Sequence, residues 1–316
     1  MSNNHFHTSL PSVASPTNFQ ELKDKVLFKL SSIGYALHCD VAFTNRCPGI
    51  NQDINQLNQL KHGDSIYISP GETTLHYNEL VRILHAKNIK VNFYLMDEPI
   101  IRGNIVRNLL PYAIDIFAMN NIHNHPNIHN MPIGIRDCGK VVPMHNGFYH
   151  DYLYKEGQQN AITKEYLCLL CFSFTHRDRV ECYNLLKNRE YIINLNDNPY
   201  PKQPSRHCGK VPIWTNYEYL HKSLYCLSPR GCGEATHRFF EAIYLDTIPI
   251  VKKTNTPFDK LYNVFPCLVV NDWNEITEDF LEQNKAKCVE QIAEFKTAYP
   301  NAFTDISSIH ELLLQT

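Results

Sequence analysis

From Ser228 to Val251 the chain reads SPRGCGEATHRFFEAIYLDTIPIV, and its chemistry is concentrated where an apolar strand pattern gives way to a helical one. Gly231 and Gly233 let a backbone approach a ligand closely. The N–H groups that open the following helix, with the positive end of its dipole, suit a phosphate. Arg230 and Arg238 offer forked hydrogen bonds to phosphate oxygens, and Thr236 stands at the helix start. Arg238 and Glu241 are three apart and share a helix face, which sets a carboxylate one turn beyond the phosphate, within reach of a ribose diol. Singly these signals are weak: an Arg-x-x-Glu pair is ordinarily a solvated ion pair worth about 0.3 kcal/mol, and Gly-x-Gly serves many tight turns. Together in one strand–loop–helix–strand unit they describe a site for a nucleoside diphosphate that carries a sugar.

The elements that must position this site alternate through the whole chain. In the first half, strand patterns cover 35–43, 64–70, 90–99 and 114–120, with helical spacing at 75–88 and 105–113. The composition turns polar and loop-like at 153–165, the expected domain boundary. Strand patterns resume at 165–174, 190–196, 224–229, 248–251 and 265–272. Helical segments begin near Arg177, at 215–223, near Ala235 and at 284–299. Such alternation implies mostly parallel sheets covered by helices. The expected architecture is α/β, with two Rossmann-like domains facing across a cleft. A loose arm spans 1–20, the domains 21–155 and 162–298, and a helical tail 299–316. In such sheets ligands sit outside the carboxyl ends of the strands.

Composition narrows the function classes. With 316 residues, 43% hydrophobic, 20% charged and a net charge of -2, the sequence suits an ordinary globular protein of two domains. No basic stripe favours nucleic acid, and no apolar run reaches the roughly 20 residues of a membrane span. The N-terminal segment lacks the layout of a signal peptide, so a cytoplasmic location is expected. Eleven cysteines, scattered through apolar runs, read as free thiols of a reducing compartment. The Cys168-x-x-Cys171 pair lies in a strand pattern and has no second pair beside it, which favours burial over redox or zinc chemistry.

The stretch YCLSPRGCGEATHRFFEAIYLDTIPIVKK resembles the signature of the exostosin-like glycosyltransferases: a Ser/Cys-Pro-Arg-Gly loop, an Arg-x-x-Glu-Ala helix and a Gly-x-Ile-Pro-Val strand. The resemblance covers about Tyr217 to Trp273 and includes PFDKLYNVFPCLVVNDW. It implies the GT-B fold, with the donor held mainly by 162–298 and the acceptor mainly by 21–155. It also implies inverting transfer, with Arg230 and Arg238 on the diphosphate and Glu241 on the ribose. The chain departs from the family in having Asp246 where a glycine is usual, although Asp accommodates turn conformations. It is also shorter than most relatives. The expectation is transfer of a sugar from a nucleoside-diphosphate donor, UDP favoured, to a glycan or other hydroxyl acceptor, without a cofactor. Three alternatives stand beside it: a fucosyltransferase-like enzyme using a GDP-sugar, a catalytically silent glycan- or nucleotide-binding protein of the same fold, and a histidine-bound metal hydrolase.

Further residues complete the expected site. In FTHRDR, at the end of a strand, Thr175 and Arg177 are candidates for the phosphate, although Arg177 and Arg179 equally suit a helix start. Inverting transfer needs a base for the acceptor hydroxyl, and Asp97, after the apolar strand of FYLMDEP, is the candidate. Glu98, Gly134 and Asp137 are assigned to the acceptor, with Asp137 as a fallback base, and Asn120 and Asn121 to sugar hydroxyls. No Asp-x-Asp occurs in the chain, so no metal is assigned: the arginines and a helix N-terminus are expected to neutralise the leaving group. His123, His125 and His129 have spacing compatible with zinc, but their Asn- and Pro-rich run reads as a surface loop.

Overall fold

A computed structural model of the chain describes residues 32–43, 54–68, 74–96, 103–135, 162–196 and 213–316. It is an α/β protein with two parallel five-stranded sheets. The first sheet contains β1 (Val41–Phe43), β2 (Ser65–Ile68), β3 (Val91–Leu95), β4 (Ala113–Ala118) and β5 (Ile128–Asn130) in that spatial order. Helices α1 (Ser32–His38), α2 (Thr74–Lys87) and α3 (Gly103–Leu109) accompany it. The strands are apolar on both faces, as parallel strands covered on both sides must be. Val91, Phe93 and Leu95 pack with Leu80, Ile83 and Leu84 of α2, while Tyr94 and Phe117 face the other way.

The second sheet contains β6 (Tyr166–Leu170), β7 (Ile192–Asn194), β8 (Ser223–Leu227), β9 (Ile248–Lys252) and β10 (Leu268–Val270). Its spatial order is β7-β6-β8-β9-β10, so the direction of winding reverses between β6 and β8. Helices α4 (Arg177–Leu186) and α8 (Glu278–Ala298) pack on the face of Cys168, Leu170 and Tyr225. Helices α5 (Ile213–Lys222) and α6 (His237–Tyr244) pack on the face of Leu169 and Cys226. The odd spacing of Cys168 and Cys171 sends the two thiols to opposite faces. Burial holds the Cys168 thiol well above its ordinary range.

The C-terminal segment joins the two sheets. After the short α7 (Leu261–Val264) and the long α8, residues 299–316 turn back and include α9 (His310–Leu313). Phe303 packs edge-on against Tyr244 of α6, at 5.3 Å between ring centroids, and His310 packs on Phe117 of the first sheet at 5.4 Å. The Thr316 hydroxyl accepts from the Asn130 N–H at 2.9 Å and lies 3.0 Å from the Asn130 carbonyl. One apolar cluster therefore runs from Tyr94 and Phe117 through Ile306, Ile309 and Leu312 to Phe239 and Phe240.

Three local readings are corrected. Tyr35 to His38, expected as the start of a strand, is helical, and the strand begins only at Val41. The histidine-rich run expected as a surface loop contains β5, whose three residues are all buried. The strand β5 takes its form from its neighbour β4, by pairing Ile128 with Ile116. The third is the helix opposite β8: helical geometry begins at His237 rather than at Ala235, with Thr236 as its N-cap. Asp246, by contrast, adopts φ 55°, the left-handed conformation that a glycine would otherwise supply. Its carboxylate receives Lys296 Nζ at 2.5 Å. Among the described residues no helix is long and apolar enough to cross a membrane.

Candidate functional site

The reversal between β6 and β8 marks the crevice where open parallel sheets bind ligands. Two loops leave the sheet there: 171–176, after β6, and 228–236, after β8. Arg179, in the first turn of α4, ties them together. Its Nη1 donates to the Ser173 carbonyl at 2.9 Å and its Nε to the Arg230 carbonyl at 3.0 Å. A Cβ at Gly231 would stand 2.8 Å from Arg179 Nη2 and 3.5 Å from Thr175 Oγ1. Thr175 and Arg177 are both exposed on this rim. Arg179 is thus the strut of the site, whereas the sequence reading put Arg177 forward for the phosphate and had Arg179 only as a flank of the helix start.

The loop after β8 is stitched internally. Ser228 Oγ and Thr236 Oγ1 are 2.9 Å apart and buried, and Gly231 N–H donates to the Gly233 carbonyl at 3.0 Å. Because the Thr236 hydroxyl is turned toward Ser228, it makes no capping hydrogen bond to α6. Arg230 Nη1 lies 2.7 Å from Glu234 Oε1, four residues on. Glu234 is only 4% exposed, and burial raises its carboxyl above the ordinary range while Arg230 pulls it back. Two buried atoms of this pair, Arg230 Nε and Glu234 Oε2, have no hydrogen-bond partner among the described residues, an arrangement that is costly in a folded interior. Glu234 also lines a narrow pocket with Ser228, Thr236, Phe258 and Tyr262. The sequence reading passed over Glu234, whose signal was its i,i+4 spacing from Arg230.

On α6, Arg238 is partly exposed, but Glu241 is 5% exposed and turned inward with Phe239, Ala242 and Ile243. Its Oε1 accepts from the Tyr217 hydroxyl of α5 at 2.9 Å. Arg238 and Glu241 differ in depth but not in direction: the carboxylate lies in the core, the guanidinium of half-buried Arg238 has its Nη1 inside the protein, and both charges act on the buried Cys226 thiol. His176, the N-cap of α4, accepts the Asp178 N–H on Nδ1 at 3.2 Å. Burial first, and Arg230 second, hold its imidazole below the usual range, in keeping with that acceptor role. Asp178 is buried and receives Trp273 Nε1 and Lys252 Nζ, each at 2.9 Å.

The first half reaches this loop at two points. Asn120 Oδ1 accepts the Ala235 N–H at 2.7 Å. His237 Nδ1 lies 3.0 Å from the Gly134 carbonyl, so that nitrogen carries the proton. Gly134 has φ 68°. Asn121 Oδ1 instead accepts its neighbour's amide, that of His123, at 2.7 Å. The acid candidates Asp97, Glu98 and Asp137 lie outside the described residues.

The histidines of the first half are dispersed in role. His129 Nε2 pairs with Asp115 Oδ1 at 2.9 Å, and His125 Nδ1 accepts from the Asn127 N–H at 3.1 Å. Among the described residues no three His, Cys, Asp or Glu side chains converge as a metal site requires. No family model matches the chain, and no curated protein matches it.

Proposed function

We propose that this protein is a glycosyltransferase of GT-B arrangement that moves a sugar from a nucleoside-diphosphate donor, UDP favoured, to a glycan or other hydroxyl acceptor. The observation that carries the reading is the meeting of the loops 171–176 and 228–236 at the strand-order reversal, with Arg230 and Arg238 beside them. That is where an α/β sheet binds nucleotides, and forked cations there suit a diphosphate.

In this reading the acceptor oxygen bonds to the anomeric carbon as the bond from that carbon to the phosphate oxygen breaks. The acceptor proton passes to a carboxylate, for which Asp97 is proposed, with Asp137 as the fallback and Glu98 and Gly134 on the acceptor side. Arg230 and Arg238 offset the charge that develops on the departing diphosphate, the part that a metal plays in other transferases. Glu241, buried and bonded to the equally buried Tyr217 hydroxyl, is proposed to fix α6 against α5 behind the donor loop rather than to meet the ribose with a free carboxylate. Thr175 and Arg177 extend the phosphate rim.

Thermal unfolding with UDP, GDP and their sugar conjugates, with and without EDTA, tests this on the wild type and on Arg238→Ala. A ligand at 100 times its Kd stabilises the native state by about 2.7 kcal/mol. The expected result is a shift with one nucleotide that survives EDTA and is lost in Arg238→Ala. No shift with any nucleotide overturns the reading.

A further inference from the structure

Asn120 follows β4 in the first half, yet its side chain lies inside the loop after β8. It is 2% exposed and its backbone is left-handed, with φ 55°. Its carboxamide fills the space over Gly233: a Cβ there would stand 2.4 Å from Asn120 Nδ2 and 2.7 Å from Oδ1. From this position Oδ1 accepts the Ala235 N–H at 2.7 Å, a short bond for an amide donor. The adjacent His237–Gly134 contact holds the same two segments together.

An amide oxygen that accepts a loop N–H offers the same chemistry as a phosphate oxygen: a partly negative sp² or terminal oxygen in line with the donor. One N–H directed at one short acceptor has no second bond of that quality to give. We propose that Asn120 Oδ1 stands in for an oxygen of the anionic ligand. A diphosphate at this loop and Asn120 then compete for the Ala235 N–H. Donor binding releases one of the two bonds by which the first half holds this segment, that to the Ala235 N–H, and departure of the nucleoside diphosphate restores it. This rests on the donor reading of the loop, and it adds a residue from the opposite half that regulates occupancy of the site.

Isothermal titration of UDP, GDP and inorganic pyrophosphate into the wild type, Asn120→Gly and Asn120→Asp tests the competition. Asn120→Gly keeps the left-handed backbone accessible and removes the rival oxygen. A neutral hydrogen bond nets enough to shift an equilibrium by about two- to tenfold, so this variant is expected to bind pyrophosphate and the preferred nucleotide tighter by that factor. Asn120→Asp keeps the shape and strengthens the acceptor, and it is expected to bind both more weakly than the wild type. Should Asn120→Gly prove poorly folded in its thermal melt, the Asn120→Asp comparison carries the test. Wild-type binding that Asn120→Gly leaves equal or weakens overturns the competition and leaves the donor reading standing. Binding of none of the three ligands to any of the proteins removes the donor reading and this inference with it.

Discussion

The guanidinium of Arg179 occupies the space that a side chain at Gly231 would need, with Nη2 2.8 Å from the position of a Cβ. Arg179 is not easily moved aside, because it is bonded to the Ser173 carbonyl and hydroxyl and to the Arg230 carbonyl. Gly231→Ala is therefore expected to destabilise the fold by about 1–3 kcal/mol, the usual cost of overpacking. Arg179→Lys, which keeps the charge but not the fork, is expected to loosen the same two loops. Urea denaturation of both variants checks this, and a Gly231→Ala midpoint equal to the wild type refutes the strut.

Gly233 and Asn120 are coupled more tightly still. Gly233→Ala drives a methyl into the Asn120 carboxamide, whereas Asn120→Gly empties that space. The double variant is expected to recover part of the stability that Gly233→Ala loses, by at least about 0.5 kcal/mol relative to additivity. A double-mutant cycle in urea measures it, and strict additivity would show that the two halves do not meet here.

Cys232 gives a direct report on the loop. It is exposed, while Cys168, Cys171, Cys182, Cys226 and Cys288 are buried. Site-resolved mass spectrometry after iodoacetamide treatment is expected to show Cys232 alkylated well before these. The preferred nucleoside diphosphate is expected to slow that labelling several-fold. Unchanged labelling under saturating nucleotide would put the ligand elsewhere.

The opposite end of the second sheet sets a pH dependence of stability. Lys164 Nζ donates to the carbonyls of His221 and Leu245 and to Thr247 Oγ1, at 2.7, 3.1 and 3.2 Å. Burial lowers its pKa to about 8 from 10.5, and burial, then Lys164, lowers His221 to about 4 from 6.5. Between pH 4 and 6.5 the unfolded chain binds the histidine proton that the folded one refuses, so stability falls as pH falls through this window. Between pH 8 and 10.5 the unfolded chain retains the lysine proton longer, so stability rises with pH there. Urea midpoints against pH are expected to flatten in the acid window for His221→Asn and in the alkaline window for Lys164→Met.

The unit β8–α6–β9 was legible because strand, loop and helix signals follow one another without interruption, and Asp246 could be placed in its turn for the same reason. Both parallel sheets followed from the alternation of apolar runs with helical spacing. Other features were hidden by distance. Arg179 and Glu234 matter through carbonyls and charges that only the folded loop brings near. The inward turn of Glu241 depends on Tyr217, 24 residues earlier. Helical spacing set Arg238 and Glu241 on one face, but it did not reveal how far the core climbs around that helix. The strand β5 is three residues long, too short for a period to register, and it is defined by its pairing with β4.

The contact of Thr316 with Asn130 spans 186 positions of sequence, and it governs how the protein is made. The aromatic face of Tyr94 and Phe117 in the first sheet is covered by Ile306, Ile309 and Leu312. Until residues 306–312 have been synthesised, that face is covered only from the first half, where Tyr35 of α1 packs on Tyr94. Its closure waits for residues 306–316 to leave the exit tunnel, so the first sheet is completed after the strands of the second have emerged. Nascent chains that stall between the two sheets would display an apolar surface, and those are the species that chaperones are expected to hold.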